Sequence, residues 1–190
     1  MDTNKRICPE ERAGGLDNIV RKWLQNPKRI LGPYIKEGMT VADFGCGPGL
    51  FSIEMARMVG ADGRVFACDM QDGMLERLRA KIRKTDLAKR IILHKCEQDN
   101  IGIQEKADLL LAFYVVHEVP DQEKFFKEAA SLIRPNGLLF IIEPPFYVSK
   151  EEFMRSVMKA QSAGFEIIER PRVFMSKAVI MKNAYQDRPN

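Results

Sequence analysis

The stretch Val41-Ala42-Asp43-Phe44-Gly45-Cys46-Gly47-Pro48-Gly49 limits the fold of this chain more than any other. A short apolar run, Thr40–Phe44, ends in glycines at alternate positions, and apolar residues at helical spacing follow from Leu50 to Val59. Such a run bounded by turn residues reads as a strand, and the periodic stretch after it as a helix. Glycines at the joint permit a tight turn and let a ligand approach the backbone with no Cβ in the way. The rest of the chain repeats the alternation, which predicts βαβ units and a parallel sheet. Strands are expected at Arg64–Cys68, Ile91–Lys95, Asp108–Ala112 and Leu138–Ile142. Helices are expected from about Gln71 to Lys84, over Glu123–Ile133 with Asp121 as its cap and Pro135-Asn136-Gly137 as its stop, and from a Ser149/Glu152 capping box to about Ala163. Two last strands, Glu166–Glu169 and Ala178–Lys182, are joined by a loop too short for a crossover helix and so should be antiparallel. The sum is five β–α steps ending in an antiparallel pair.

A helix that starts at a glycine loop points free N–H groups at whatever binds there and favours an anionic group. Asp69 follows Gly49 by twenty residues, at the end of the second strand, where an acid accepts hydrogen bonds from both hydroxyls of a ribose. Met70 beside it can cover one face of an adenine ring. A dinucleotide loop reads G-x-G-x-x-G, whereas here the spacing is G-x-G-x-G, with Leu50 and Phe51 where a third glycine would be wanted. Asp43, just before the loop, suits a ligand with an ammonium group and offers nothing to a pyrophosphate. These features favour S-adenosylmethionine (SAM), with its carboxylate at the helix start and its ammonium near Asp43. A nicotinamide oxidoreductase is the outside alternative, and it lacks room for a substrate domain.

Val41–Gly49 resembles the first motif of class I SAM-dependent methyltransferases, and Asp69 matches the acid of the next. Ala107-Asp108-Leu109-Leu110-Leu111-Ala112-Phe113 is similar to the fourth-strand motif, and Ile133-Arg134-Pro135-Asn136-Gly137-Leu138-Leu139 to the segment before the fifth strand. Val116-His117-Glu118-Val119-Pro120-Asp121 resembles the branch that holds quinone-biosynthesis and arsenite methyltransferases. The resemblance implies a Rossmann-like, doubly wound α/β fold with a seven-stranded sheet in the order 3-2-1-4-5-7-6, strand 7 antiparallel and helices on both faces. It implies a SAM site at Gly45, Cys46, Gly47 and Gly49, with Asp69 on the ribose, Met70 on the adenine, and Ala112 and Phe113 under the methionine moiety; S-adenosylhomocysteine would be the product. Many relatives carry Asp-Ala after the third strand; Cys96-Glu97 stands there in this chain, and Glu97 is the candidate substitute.

Displacement at a sulfonium methyl needs positioning and exclusion of water more than a strong base. His117, just after the fourth strand, is the candidate general base, against a structural histidine that only orders its loop. Glu118 is expected to face another way, and Glu143 to bind a polar acceptor or make a salt bridge. The absence of a lid-sized insertion leaves residues 1–38 and the loop around Phe146–Ser149 to cover the site. Trp23, Tyr34, Phe146 and Tyr147 would then line an apolar pocket for a small molecule.

The 190 residues suit one domain, a helical cap segment over 1–38 and a SAM-binding domain over 39–190. No apolar run approaches the ~18–20 residues of a membrane span, and the first residues lack the apolar core of a secretory signal. Cys8, Cys46, Cys68 and Cys96 lack CxxC spacing, which reads as reduced thiols in a cytoplasmic protein; three of them end neighbouring strands, so a thiol-based substrate site is weighed and a resident metal is not expected. The net charge of +4 gathers around Arg77, Arg79, Lys81, Arg83, Lys84, Lys89 and Arg90 without interleaved aromatics, so a solvated helix face is expected there rather than a nucleic-acid surface. The expected partner is a small-molecule acceptor, with the chain a monomer or homodimer. The alternatives are a methyltransferase acting on RNA or protein, and a SAM-binding module without catalysis.

Overall fold

The structure, a computed structural model, describes residues 25–98 and 100–184. Among them are strands β1 (Thr40–Phe44), β2 (Arg64–Asp69), β3 (Ile91–Lys95), β4 (Ala107–Phe113), β5 (Ile133–Glu143), β6 (Phe165–Glu169) and β7 (Lys177–Asn183). They form one sheet ordered β3-β2-β1-β4-β5-β7-β6, in which β7 runs antiparallel to both its neighbours and the other pairs are parallel. The α-helices of the described residues are α1 (Pro27–Leu31), α2 (Leu50–Met58), α3 (Asp72–Ile82), α4 (Gln122–Leu132) and α5 (Lys150–Ser162).

The central strands are apolar on both faces, so alternate residues feed two cores. Val41, Leu109, Leu111 and Ile142 pack with Leu31, Met55 and Leu78 of α1, α2 and α3. Ala42, Leu110, Leu139 and Ile141 pack with Phe125, Phe126, Phe153 and Val157 of α4 and α5. The two side-chain caps read from the sequence are in place. Asp121 accepts from the Lys124 N–H at 3.0 Å at the start of α4, and Ser149 and Glu152 close the full capping box of α5. No helix of the described residues is long and apolar enough to cross a membrane.

Two expectations give way. The third β–α step has no helix among the described residues between Cys96 and Lys106. Ile101, fully buried, fills the place where a helix would pack. The crossover is instead pinned by Glu128 of α4, whose carboxylate accepts from Ile101 N (2.9 Å) and Gly102 N (2.7 Å), and by the His94 Nε2 contact with the Ile101 carbonyl at 2.8 Å. The Pro135-Asn136-Gly137 run does not separate α4 from β5 either. The residue before a proline avoids helical angles, so α4 ends at Leu132 and the strand begins at Ile133, opposite Ala107. The register then shifts before Leu109 meets Leu138, Asn136 takes φ 63°, and Arg134 pairs with Asp108 at 2.7 Å.

The basic segment around α3 is only partly a solvated face. Arg79 pairs with Glu76 and Lys89 with Asp86, but Lys81 donates to the Pro48 carbonyl at 2.8 Å and Arg90 to the Ala56 carbonyl at 3.2 Å, both bracing α2 and its loop.

Candidate active site

The chain winds outward from β1 through β2 to β3, then returns to place β4 on the other side of β1. At that switch point the connections diverge, and an open α/β sheet forms its ligand crevice beyond the carboxyl ends of the strands. A cavity of about 1180 Å3 lies there, walled by residues that follow β1, β2, β3, β4 and β5. It exceeds the roughly 300–1,000 Å3 of a site for one small molecule, which leaves room for a cofactor and a second ligand.

The glycine loop forms one wall. Gly47 takes φ 52°, and a Cβ built on it would meet nothing within 4 Å, so its bare α-carbon faces open cavity. Gly49 differs. It caps α2 at φ 86°, and a Cβ there would lie 2.3 Å from Leu78 Cδ1, so this glycine is required by packing and does not line the cavity. Asp69 organises the loop: its carboxylate accepts from Gly47 N at 2.8 Å and Gln71 N at 2.9 Å.

Asp43 lies under the loop, 1% exposed, and accepts the Ser52 hydroxyl at 2.5 Å. Burial pushes its carboxyl up from 3.8 to about 7; the Ser52 hydroxyl pulls the other way, and the Asp69 charge adds to the rise. Met70, Glu97, Cys46 and Phe113 also line the cavity, whereas Ala112 is fully buried inside β4 and does not. Phe113 is held between Phe51 (ring centroids 4.3 Å apart) and Tyr114 (4.2 Å).

His117, which also lines the cavity, lies in a 3-10 turn, Val116–Glu118. Its Nδ1 is 2.6 Å from Glu143 Oε2, and its backbone N–H donates to Glu143 Oε1 at 3.2 Å. Glu143, 1% exposed at the end of β5, therefore fixes both the ring and the backbone of the histidine. With Nδ1–H donated to the carboxylate, Nε2 is left as the basic nitrogen. Glu118 does not face away. The tight turn carries it onto the cavity wall, with Oε1 3.9 Å from His117 Nε2.

Tyr34 is not part of the cavity: its ring packs edge-on against Phe140 and its hydroxyl donates to Glu169 at 2.9 Å. Tyr147 is on the rim, 82% exposed, with Phe146 beside it at 79%. Trp23 and Cys8 lie outside the described residues, as does the cap segment before residue 25. Cys46, Cys68 and Cys96 are free and buried, and burial holds all three thiols up, Cys96 to about 12, so none is poised as a thiolate. No metal-holding group of His, Cys, Asp and Glu occurs among the described residues. Tyr114 carried no signal in the sequence. It lines the cavity at φ 59°, and its hydroxyl meets Gln25 Nε2 and Ser176 Oγ, each at 2.6 Å.

Residues 35–184 match the family described as a methyltransferase domain. The chain belongs to that family. A SAM-dependent methyltransferase from Aquifex aeolicus has the same fold with a TM-score of 0.84 and 26% identity, over 93% of this chain and 100% of that one. Among curated relatives, the demethylmenaquinone methyltransferase of Lactobacillus johnsonii is 29% identical over 57% of this chain and 45% of its own length. A ubiquinone/menaquinone biosynthesis C-methyltransferase of an Enterobacter species is 26% identical over 57% and 44%. This methyltransferase-domain chain thus spans about half the length of the curated relatives it matches. Family and fold imply SAM as its cofactor. The site's residues fit that molecule: an open glycine α-carbon, an acid at the end of β2 that braces the loop, and a buried acid under the loop all line a cavity large enough for a second ligand.

Proposed function

We propose that this chain transfers a methyl group from SAM to a small-molecule acceptor, with His117 as the general base. The observation that carries the reading is the His117–Glu143 pair, closed at 2.6 Å on the wall of the cavity that the glycine loop and Asp69 also line. SAM, when bound, supplies an electrophilic methyl group on a sulfonium. Gly45, Cys46 and Gly47 would hold its methionyl end, Asp69 the ribose, and Met70 and Glu97 the adenine side, while Asp43 would receive the ammonium. Phe113, locked between two aromatic rings, would form the floor. Glu143 sets the histidine tautomer, so His117 Nε2 would take a proton from an acceptor hydroxyl or activated carbon as the acceptor–methyl bond forms and the methyl–sulfur bond breaks, its electron pair staying on the sulfur of the departing S-adenosylhomocysteine. Glu118 stands close enough to steady the imidazolium that results. Buried reduced thiols accord with a cytoplasmic setting.

Calorimetric titration with SAM, S-adenosylhomocysteine and NAD, on wild type and Asp69→Ala, tests the cofactor site. The expected result is binding of the first two at about micromolar Kd, weakened at least about tenfold by Asp69→Ala, with no binding of NAD; binding of NAD alone would overturn the reading. Methyl transfer from labelled SAM is then screened against small acceptors, headed by demethylmenaquinone because a relative is named for it. His117→Gln should abolish transfer without changing S-adenosylhomocysteine affinity. Transfer that survives His117→Gln removes the general-base assignment, and cofactor binding with no transfer to any acceptor favours a non-catalytic SAM-binding module.

A further inference from the structure

The wall of the cavity farthest from the glycine loop in chemical character is α5. Glu152, Arg155, Ser156 and Lys159 all line it, at the i, i+3, i+4, i+7 spacing of one helix stripe. Glu152 is engaged at the helix start, where its carboxylate accepts the Ser149 N–H at 2.8 Å. Arg155 and Lys159 make no ion pair or side-chain hydrogen bond among the described residues. Cations elsewhere near the site are engaged: Lys177 donates to the Val148 carbonyl at 2.8 Å, and Lys81 to that of Pro48. The pair is also on an unexpected side of its helix. A helix packed by Phe153, Val157 and Ala160 has two flanks; the flank turned away from the cavity carries Met154 and the 61% exposed Met158, and the cavity flank carries the cations.

Ser156, between the two cations, connects this stripe to the candidate base. Its hydroxyl donates to Gln122 Oε1 at 3.0 Å, and Gln122 Nε2 donates to the Val116 carbonyl at 2.9 Å, one residue before His117. Ser156, flanked by the two cations on the stripe, therefore lies two hydrogen bonds from the turn that carries the base. Asp69 and Glu97, after β2 and β3, bring to the same cavity the acidic charge that suits a cofactor of net positive charge, and Glu118 and Glu143 line it beside His117. Arg155 and Lys159 are the two cations of an otherwise acidic lining, and an Arg with a Lys one turn away matches the fork geometry of a carboxylate or phosphate.

We propose that Arg155 and Lys159 recognise an anionic group, carboxylate or phosphate, on the methyl acceptor, holding its reactive end toward His117. The proposal rests on the methyl-transfer reading above and specifies the acceptor class. The test uses protein saturated with S-adenosylhomocysteine at low salt, titrated with benzoate, phenyl phosphate and the neutral benzyl alcohol, in wild type and in Arg155→Gln/Lys159→Gln. In wild type at least one anion should bind about tenfold or more tighter than the alcohol, as charge-assisted pairing requires, and the stronger of the two identifies the group. In the double variant that advantage should vanish, with melting temperature and S-adenosylhomocysteine affinity unchanged. No anion advantage in wild type, or an advantage that persists in the double variant, overturns the proposal. Failure of the wild-type protein to bind S-adenosylhomocysteine is a different result: it removes the methyl-transfer reading itself, and the anion site with it, whereas loss of that binding in the double variant alone overturns only the anion-site proposal.

Discussion

Asp43→Asn should stabilise the protein above pH 7 and do almost nothing near pH 4. The side chain is 1% exposed, so solvent screens it little, and burial moves its carboxyl from 3.8 to about 7 in the fold. Between those values the folded protein keeps a proton that the unfolded chain has released, so stability falls as pH rises through the window. At about 1.4 kcal/mol per unit, the interval from 3.8 to about 7 corresponds to a penalty of about 4 kcal/mol once Asp43 is ionised. Asparagine has the same shape, keeps an oxygen for the Ser52 hydroxyl and never ionises. For a chain of this size the difference amounts to roughly 8–16 °C in melting temperature at pH 8, shrinking to near zero by about pH 4. Scanning calorimetry of both proteins from pH 4 to 8.5 measures it, and groups common to both cancel. A difference that does not change with pH, or one that favours wild type as pH rises, would refute the reasoning. Binding gives a second readout. The ammonium of SAM beside Asp43 should draw the carboxyl back down and release a proton near pH 7, so the binding enthalpy should depend on buffer in wild type and not in Asp43→Asn.

The two loop glycines should respond differently. Gly47→Ala incurs only its positive φ, about 1–2 kcal/mol, yet its methyl enters the cavity and should weaken SAM at least about tenfold, whereas Gly49→Ala also strikes Leu78 and should lose about 3 kcal/mol or more of unfolding free energy. Chemical denaturation and titration of each variant separate the two, and equal losses of stability would remove the distinction. Glu143→Gln should reduce methyl transfer about 100-fold or more by releasing the His117 ring, while S-adenosylhomocysteine affinity stays within about twofold; a parallel loss of both would make Glu143 structural. Glu128→Ala deprives the Ile101 and Gly102 amides of their acceptor and should lower stability by about 2 kcal/mol, with faster hydrogen exchange at those amides. Unchanged exchange there would show that the crossover is held by other contacts.

Element positions and the glycine loop were legible because they depend on local chemistry. Apolar runs between turn residues located each strand within about two residues at its carboxyl end. Asp121 and the Ser149/Glu152 pair marked helix starts because capping is satisfied within three residues. Gly47 and Asp69 were legible because a strand–glycine–helix joint followed by an acid at the next strand end has few other uses. What tertiary structure alone decided depends on neighbours remote in the chain. Gly49 reads like Gly47 in sequence, but Leu78 on another helix makes one a packing position and leaves the other facing open space. Tyr34 reads as a pocket aromatic, but Phe140 and Glu169 claim it elsewhere. Glu143 acquires meaning only from His117, twenty-six residues away, and the third crossover does without a helix because Glu128 of α4 supplies the hydrogen bonds and Ile101 the buried surface. A residue's own chemistry and spacing set which backbone form and ligand class it favours; which side chains share a cavity is set by sheet order and packing, which bring together groups that no local pattern relates.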